Sequence, residues 1–170
     1  MTTLRTARML TRYNAWANEL TFNAVAQLPP GEAMERRCSL FPNIVHTLNH
    51  NYVIDRIFQA HLMGREHGYT ARNTPTCPPL EELWNSQREV DNWYIEWSDG
   101  LTDAALNETI RFTFVGGGEG AMTRGEILLH VVNHTAYHRG YVADIFYQIP
   151  AQPPTTDLPV FLRDVPLKLE

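Results

Sequence analysis

Cysteine is scarce in this chain of 170 residues: Cys38 and Cys77 are the whole supply. They stand far apart and form no Cys-x-x-Cys pair, which argues against a disulfide scaffold or a thiolate-built metal site. The expectation is two reduced thiols, one buried and one in a loop. Long apolar runs are also missing. No stretch approaches the ~20 residues of a membrane span, and Met1-Thr2-Thr3-Leu4-Arg5 lacks the apolar segment of a secretion signal. A cytoplasmic location with no membrane partner is therefore expected. Basic blocks are missing too: Arg36-Arg37 is the longest run, and the net charge is −5. Phosphate backbones are bound by basic surfaces, so no nucleic-acid partner is expected.

What is present is ordinary for a globular chain. Apolar residues make up 44% and charged residues 19%, and this length reads as a single domain over residues 1–170. Leu4, Met9, Tyr13, Trp16, Leu20, Val25 and Leu28 recur at helical steps and predict a helix over 3–28, stopped by Pro29-Pro30-Gly31. A second helix is predicted from Pro42 to Met63, with Gly64 as its cap. Residues 65–79 read as a loop and 80–98 as a third helix ending near Gly100. The alternation in 108–114 predicts a short strand, and Gly116-Gly117-Gly118-Glu119-Gly120 a turn. That glycine run lacks the Lys-Ser/Thr ending of a phosphate loop. Thr123 and Glu126 fit a capping box opening a fourth helix over 124–148. The tail, 151–170, is Pro-rich, yet Leu158, Val160, Phe161 and Leu162 predict that it packs on the body. Four long helices with a small hairpin between the third and fourth make an all-α fold, a four-helix bundle.

The chemistry lies in the histidines. His130, His134 and His138 follow one another at steps of four, which stacks them on one helix face. His46 and His50 repeat the step on the second helix. Imidazoles set into an apolar wall (Leu128, Val131, Val132, Val142, Ile145) suit a buried site for Zn, Ni or Fe. His134 and His138 are the strongest candidates. Three consecutive turns do not all reach one ion, so one of the three rings stands behind the others. His50 supplies the third nitrogen, with His46 as the alternative. His61 lies three turns from His50, too far for the same ion, and His67 reads as a surface loop residue. Thr135 follows His134, so the glutamate base of a His-Glu-x-x-His zinc protease is absent. No Glu-x-x-His pair of the di-iron bundles is present either. Asp55, beside Arg56 in a helix interior, reads as half of an ion pair. Tyr52, Tyr137, Tyr141 and Arg139 are candidates for selecting a substrate.

The chain resembles a known group. Tyr13-Asn14-Ala15-Trp16-Ala17-Asn18, Leu48-Asn49-His50 with Asp55-Arg56-Ile57-Phe58, His130-x-x-Asn-His134-x-x-x-His138-Arg139-Gly140 and the Asp157–Asp164 segment are similar to the DinB/YfiT-like superfamily, in the same order along nearly the whole chain. The resemblance implies an up-down-down-up four-helix bundle, a homodimer, and one divalent metal ion held by His50, His134 and His138, with His130 a neighbour. Two positions depart from the pattern: Tyr141 stands where Gln is common, and Phe58 where Trp is common. Neither is a ligand position.

The relatives implied include thiol-dependent S-transferases and a mycothiol-dependent isomerase. The leading functional reading is thus a metal-dependent transferase acting on a small-molecule thiol and an electrophile. A metal-dependent hydrolase, a non-catalytic stress-associated metal-binding protein and a plain interaction module are the alternatives.

Overall fold

The computed structural model describes residues 2–167. Helix α1 spans Leu4–Ala26, α2 Ile44–Leu62, α3 Leu80–Asp99 and the short α4 Asp103–Leu106. Strands β1 (Thr109–Thr113) and β2 (Glu119–Thr123) follow, then α5 (Arg124–Tyr147) and α6 (Leu158–Asp164). The first four amide groups of a helix lack an acceptor within it, and a capping side chain satisfies one of them. Thr3 accepts from Thr6 N at 3.2 Å and Asn43 from His46 N at 2.8 Å. The expected capping box opens α5: Thr123 N donates to Glu126 Oε2 at 2.7 Å and Glu126 N to Thr123 Oγ1 at 3.2 Å. Pro42 is not the first-turn residue the sequence suggested. It lies outside α2, because Asn43 takes the cap. Gly64 closes α2 at a φ of 67°, a conformation that suits glycine.

The four long helices form the bundle, with the hairpin between α4 and α5. Thr11 meets Ser98 and Asn18 meets Asp91, so α1 and α3 run antiparallel. His50 meets His134 while Phe58 meets His130, so α2 and α5 are antiparallel. A Cβ on Gly125 would touch Thr2, whereas Arg139 reaches Asn14 and Asn18, so α1 and α5 run parallel. The direction pattern is up-down-down-up, as the resemblance implied. The tail packs as expected: Phe161 is fully buried against Tyr13 and Trp16. Residues 168–170 of that expectation lie outside the described residues.

The apolar core is split in two. One cluster gathers Ala7, Val53, Ile57, Val90, Tyr94, Ile127 and Val131; the other gathers Phe22, Val25, Ile44, Leu48, Leu83, Val142 and Phe146. On each helix, buried polar residues separate the two: Asn14 and Asn18 on α1, His50 and Asp55 on α2, Gln87 and Asp91 on α3, Thr135, His138 and Arg139 on α5. A polar layer crosses the middle of the bundle, and the histidines sit at its level.

In the hairpin, Phe112 pairs with Gly120. A Cβ on Gly120 would come within 2.6 Å of the Phe112 ring, so the close approach requires glycine.

Candidate metal centre

Antiparallel packing of α2 and α5 brings together side chains 84 residues apart. His50, His134 and His138 each offer a ring nitrogen, and these nitrogens lie within 4.8 Å of one another. The Nε2 atoms of His50 and His134 are 3.2 Å apart. Two nitrogens on one tetrahedral ion at ~2.0 Å stand about 3.3 Å apart. His50 Nδ1 lies 2.8 Å from the carbonyl oxygen of Arg72. It therefore carries the proton and donates it, leaving the Nε2 lone pair aimed at the other rings. Buried Nδ1 atoms of His134 and His138 have no partner among the described residues. Convergent lone pairs and orphaned nitrogens fit a divalent cation of the Zn, Ni or Fe class.

Burial keeps the rings neutral, as metal ligation requires. Desolvation, helped by the facing imidazoles, pushes His134 down to about 3 and His138 to about 4. His50 is lowered chiefly by burial, with the Arg72 charge adding to the effect.

The triad lies in the wall of a cavity of about 770 Å³. Phe41, from the loop before α2, covers it, with ring centroids 4.7 Å from His50 and 5.6 Å from His138. His130 lines the same cavity but is not in the triad; its ring packs on Phe58 at 4.5 Å and stands 5.6 Å from His134. His46 is stacked on Phe41, outside the triad. His61 stacks on Phe112 at 4.6 Å at the other end of the cavity. His67 is half-buried against His61 rather than freely at the surface.

Several expectations change at the polar layer. Asp55 makes no ion pair with Arg56. It is completely buried and accepts from Gln87 Nε2 at 2.9 Å, while Arg56 stands beside Tyr69. Arg139 cannot select a substrate, because it is 4% exposed and points into the core, donating to Asn14 at 2.9 Å and Asn18 at 3.0 Å. Asn18 in turn donates to Asp91. Burial, reinforced by Asp91, raises Asp55 to about 8, and burial raises Asp91 to about 6. At neutral pH the layer thus holds one cation, Arg139, one anion, Asp91, and a protonated Asp55. Thr135 Oγ1 carries one proton and shares it between two acceptors, Val131 O at 2.9 Å and Asp55 Oδ1 at 3.3 Å.

Of the other candidates, Tyr137 lines the cavity and pairs with Tyr141 through their hydroxyls at 2.7 Å, whereas Tyr52 packs against the core. Neither cysteine is fully buried: Cys38 is exposed and Cys77 half-buried. Sequence reasoning missed Phe41, Arg72 and Asn73, because nothing in a loop's periodicity signals which cavity it will cover. It also missed the partnership of Asn14 and Asn18, although their spacing of four was the available signal.

No helix among the described residues is long and apolar enough to cross a membrane. The chain is 27% identical over 164 residues to "Protein DinB" of Bacillus subtilis (strain 168), covering 90% of this chain and 91% of that protein. The profile described as the DinB family matches residues 1–165. With a match over nearly the whole length and a helical bundle fold, the chain belongs to the DinB family.

Proposed function

We propose that this chain is a divalent-metal-dependent transferase in which His50, His134 and His138 hold the ion and a low-molecular-weight thiol is joined to an electrophile in the adjoining cavity. The observation that carries the reading is the convergence of three ring nitrogens within 4.8 Å at the wall of a large cavity. His130 and His46 stand aside from the group, on Phe58 and Phe41, and the triad faces the cavity, which supports room for a reactant beside the ion. When bound, a divalent ion supplies Lewis acidity that lowers the pKa of a thiol or water beside it.

The chain's own residues do the rest. The Arg72 carbonyl holds the His50 tautomer, Phe41 shields one side from water, and the apolar wall from Ile54 to Phe58 seats the acceptor. The sulfur bonds to the electrophilic carbon, the leaving group departs with its bonding pair, and the thiol proton passes to solvent at the cavity mouth. No protein base is required, consistent with Thr135 being turned inward to Val131 and Asp55.

The reading includes a homodimer. The outer face of α5 supports it, with Leu129 and Tyr147 44% and 69% exposed on one side of the helix and the open Gly140 between them.

The test is S-conjugation of a fluorogenic chloroalkyl bimane by metal-loaded protein with a panel of thiols. Conjugation faster than the thiol alone, abolished by chelation and by His134→Ala, is expected. A tightly bound ion with no rate above background for any thiol overturns the transferase and leaves a metal-binding protein without turnover.

A further inference from the structure

The cavity carries a guanidinium at one end and is mostly apolar at the other, where the rings of His61 and His130 pack on Phe58. It follows α2 from His50 to His61, eleven residues or about 16 Å of helix. At the first end stand the triad, Arg72 and Asn73; toward the second stand Ile57, Phe58, Phe114, Val115 and Met122. No Asp or Glu lines it, and Arg72 belongs to none of the ion pairs among the described residues. Arg72 is exposed but not loosely tethered. Its carbonyl is bonded by His50, and the next residue, Asn73, donates to His46 O at 2.9 Å and Asn49 Oδ1 at 3.2 Å. Its guanidinium is close enough to His50 and His134 to oppose their protonation. Unpaired guanidinium at the polar end of an apolar trough is the arrangement that recognises a carboxylate on an apolar body.

We infer that the reactant seated in this cavity is an amphipathic organic acid, its carboxylate on Arg72 beside the triad and its aryl or alkyl body extended along α2 toward the hairpin. This rests on reading the cavity as the reactant site. The carboxylate belongs to the apolar reactant, not to the thiol, because the apolar wall begins one turn from His50, at Ile54, and a short hydrophilic thiol leaves it unfilled.

The experiment is calorimetric titration of metal-free and zinc-loaded protein with 4-phenylbutyrate and with 4-phenylbutan-1-ol, which share a body and differ in charge. Metal-free protein is expected to bind the acid about tenfold more tightly than the alcohol. Arg72→Gln brings the two within about twofold while leaving the alcohol and the zinc content unchanged, and Arg72→Lys retains part of the preference. His134→Ala loses zinc yet keeps the preference. Equal affinity for acid and alcohol overturns the inference, as does a preference that survives Arg72→Gln, or no saturable binding of either probe. An Arg72-dependent preference seen with 3-mercaptopropionate over 2-mercaptoethanol, and absent with the phenyl pair, also overturns it by moving the charge to the thiol. A protein that never binds metal but discriminates the phenyl pair through Arg72 refutes the proposed transferase and leaves this inference standing.

Discussion

His50 donates its Nδ1 proton to the carbonyl oxygen of Arg72 at 2.8 Å, and that contact ties the histidine triad to the loop after α2. It sets the tautomer of one ring and fixes the start of the side chain that brings positive charge to the cavity. Because the acceptor is a main-chain oxygen, substitutions at position 72 leave it in place, so charge and tautomer can be varied separately.

Metal content should separate the four cavity histidines near this point. His134→Ala or His138→Ala is expected to weaken zinc binding by more than about a hundredfold, because two imidazoles do not complete the site. His130→Ala should cost no more than about tenfold, as its ring stands outside the triad. Competition titration with a chromophoric chelator reads both; loss of zinc in His130→Ala with retention in His138→Ala would place the site one turn away.

Metal affinity should resist mild acid. Exposed imidazoles protonate near 6.5 and release metal below it. Here the folded-state values of about 3 for His134 and about 4 for His138 keep both rings neutral well below that. With His50 lowered by burial as well, zinc affinity is expected to fall less between pH 7 and about pH 5.5 than at a site of exposed imidazoles, and to collapse as pH falls toward 4. A steep loss already between pH 7 and 6 would contradict it.

The buried carboxyl layer predicts the opposite trend at higher pH. Asp55 has its folded pKa raised to about 8 from an ordinary 3.8. Its contribution is complete below the ordinary value and is lost as pH rises through 8. The depressed histidines act in the other direction, but only below about 6.5. Between pH 6.5 and 8.5 the metal-free protein should therefore lose stability, on the order of 2 kcal/mol. Asp55→Asn, which cannot ionise, should flatten that slope, whereas Asp55→Ala should destabilise at every pH by leaving buried donors unpaired, about 1–3 kcal/mol. Urea unfolding across the range measures it, and an unchanged slope in Asp55→Asn would sink the assignment.

Gly120→Ala should strain the hairpin. The new methyl meets the Phe112 ring, which itself stacks on His61 at the apolar end of the cavity. A loss of about 1–3 kcal/mol is expected, with zinc content unchanged because the triad lies on other elements. Thermal unfolding with metal analysis checks both halves.

Association is tested by light scattering and by Gly140→Arg on the outer face of α5. A dimer in the wild type and a monomer in the variant are expected; a wild-type monomer at up to millimolar concentration contradicts the homodimer.

Much of the fold was legible because local signals agreed. Helical periodicity, the Thr123–Glu126 box and the glycine-rich turn marked α1, α2, α3, β1 and α5 nearly where they stand, and steps of four put His134 and His138 on one face. The sequence by itself determined these elements because periodicity and capping act within a few residues of chain. It also narrowed the ligands: α5 supplies two neighbouring rings, and a third had to come from elsewhere. Only the tertiary structure decided what meets across the bundle. Asp55 looked like a partner of Arg56, yet packing turned it inward to Gln87 and Thr135, and turned Arg139 from a surface candidate into the central cation of the core. Desolvation sets the protonation of these groups, and burial is a property of four packed helices, not of any one of them. The same holds for Arg72 and Phe41, whose roles exist only because two irregular loops close over the spot where α2 and α5 bring His50 and His134 together.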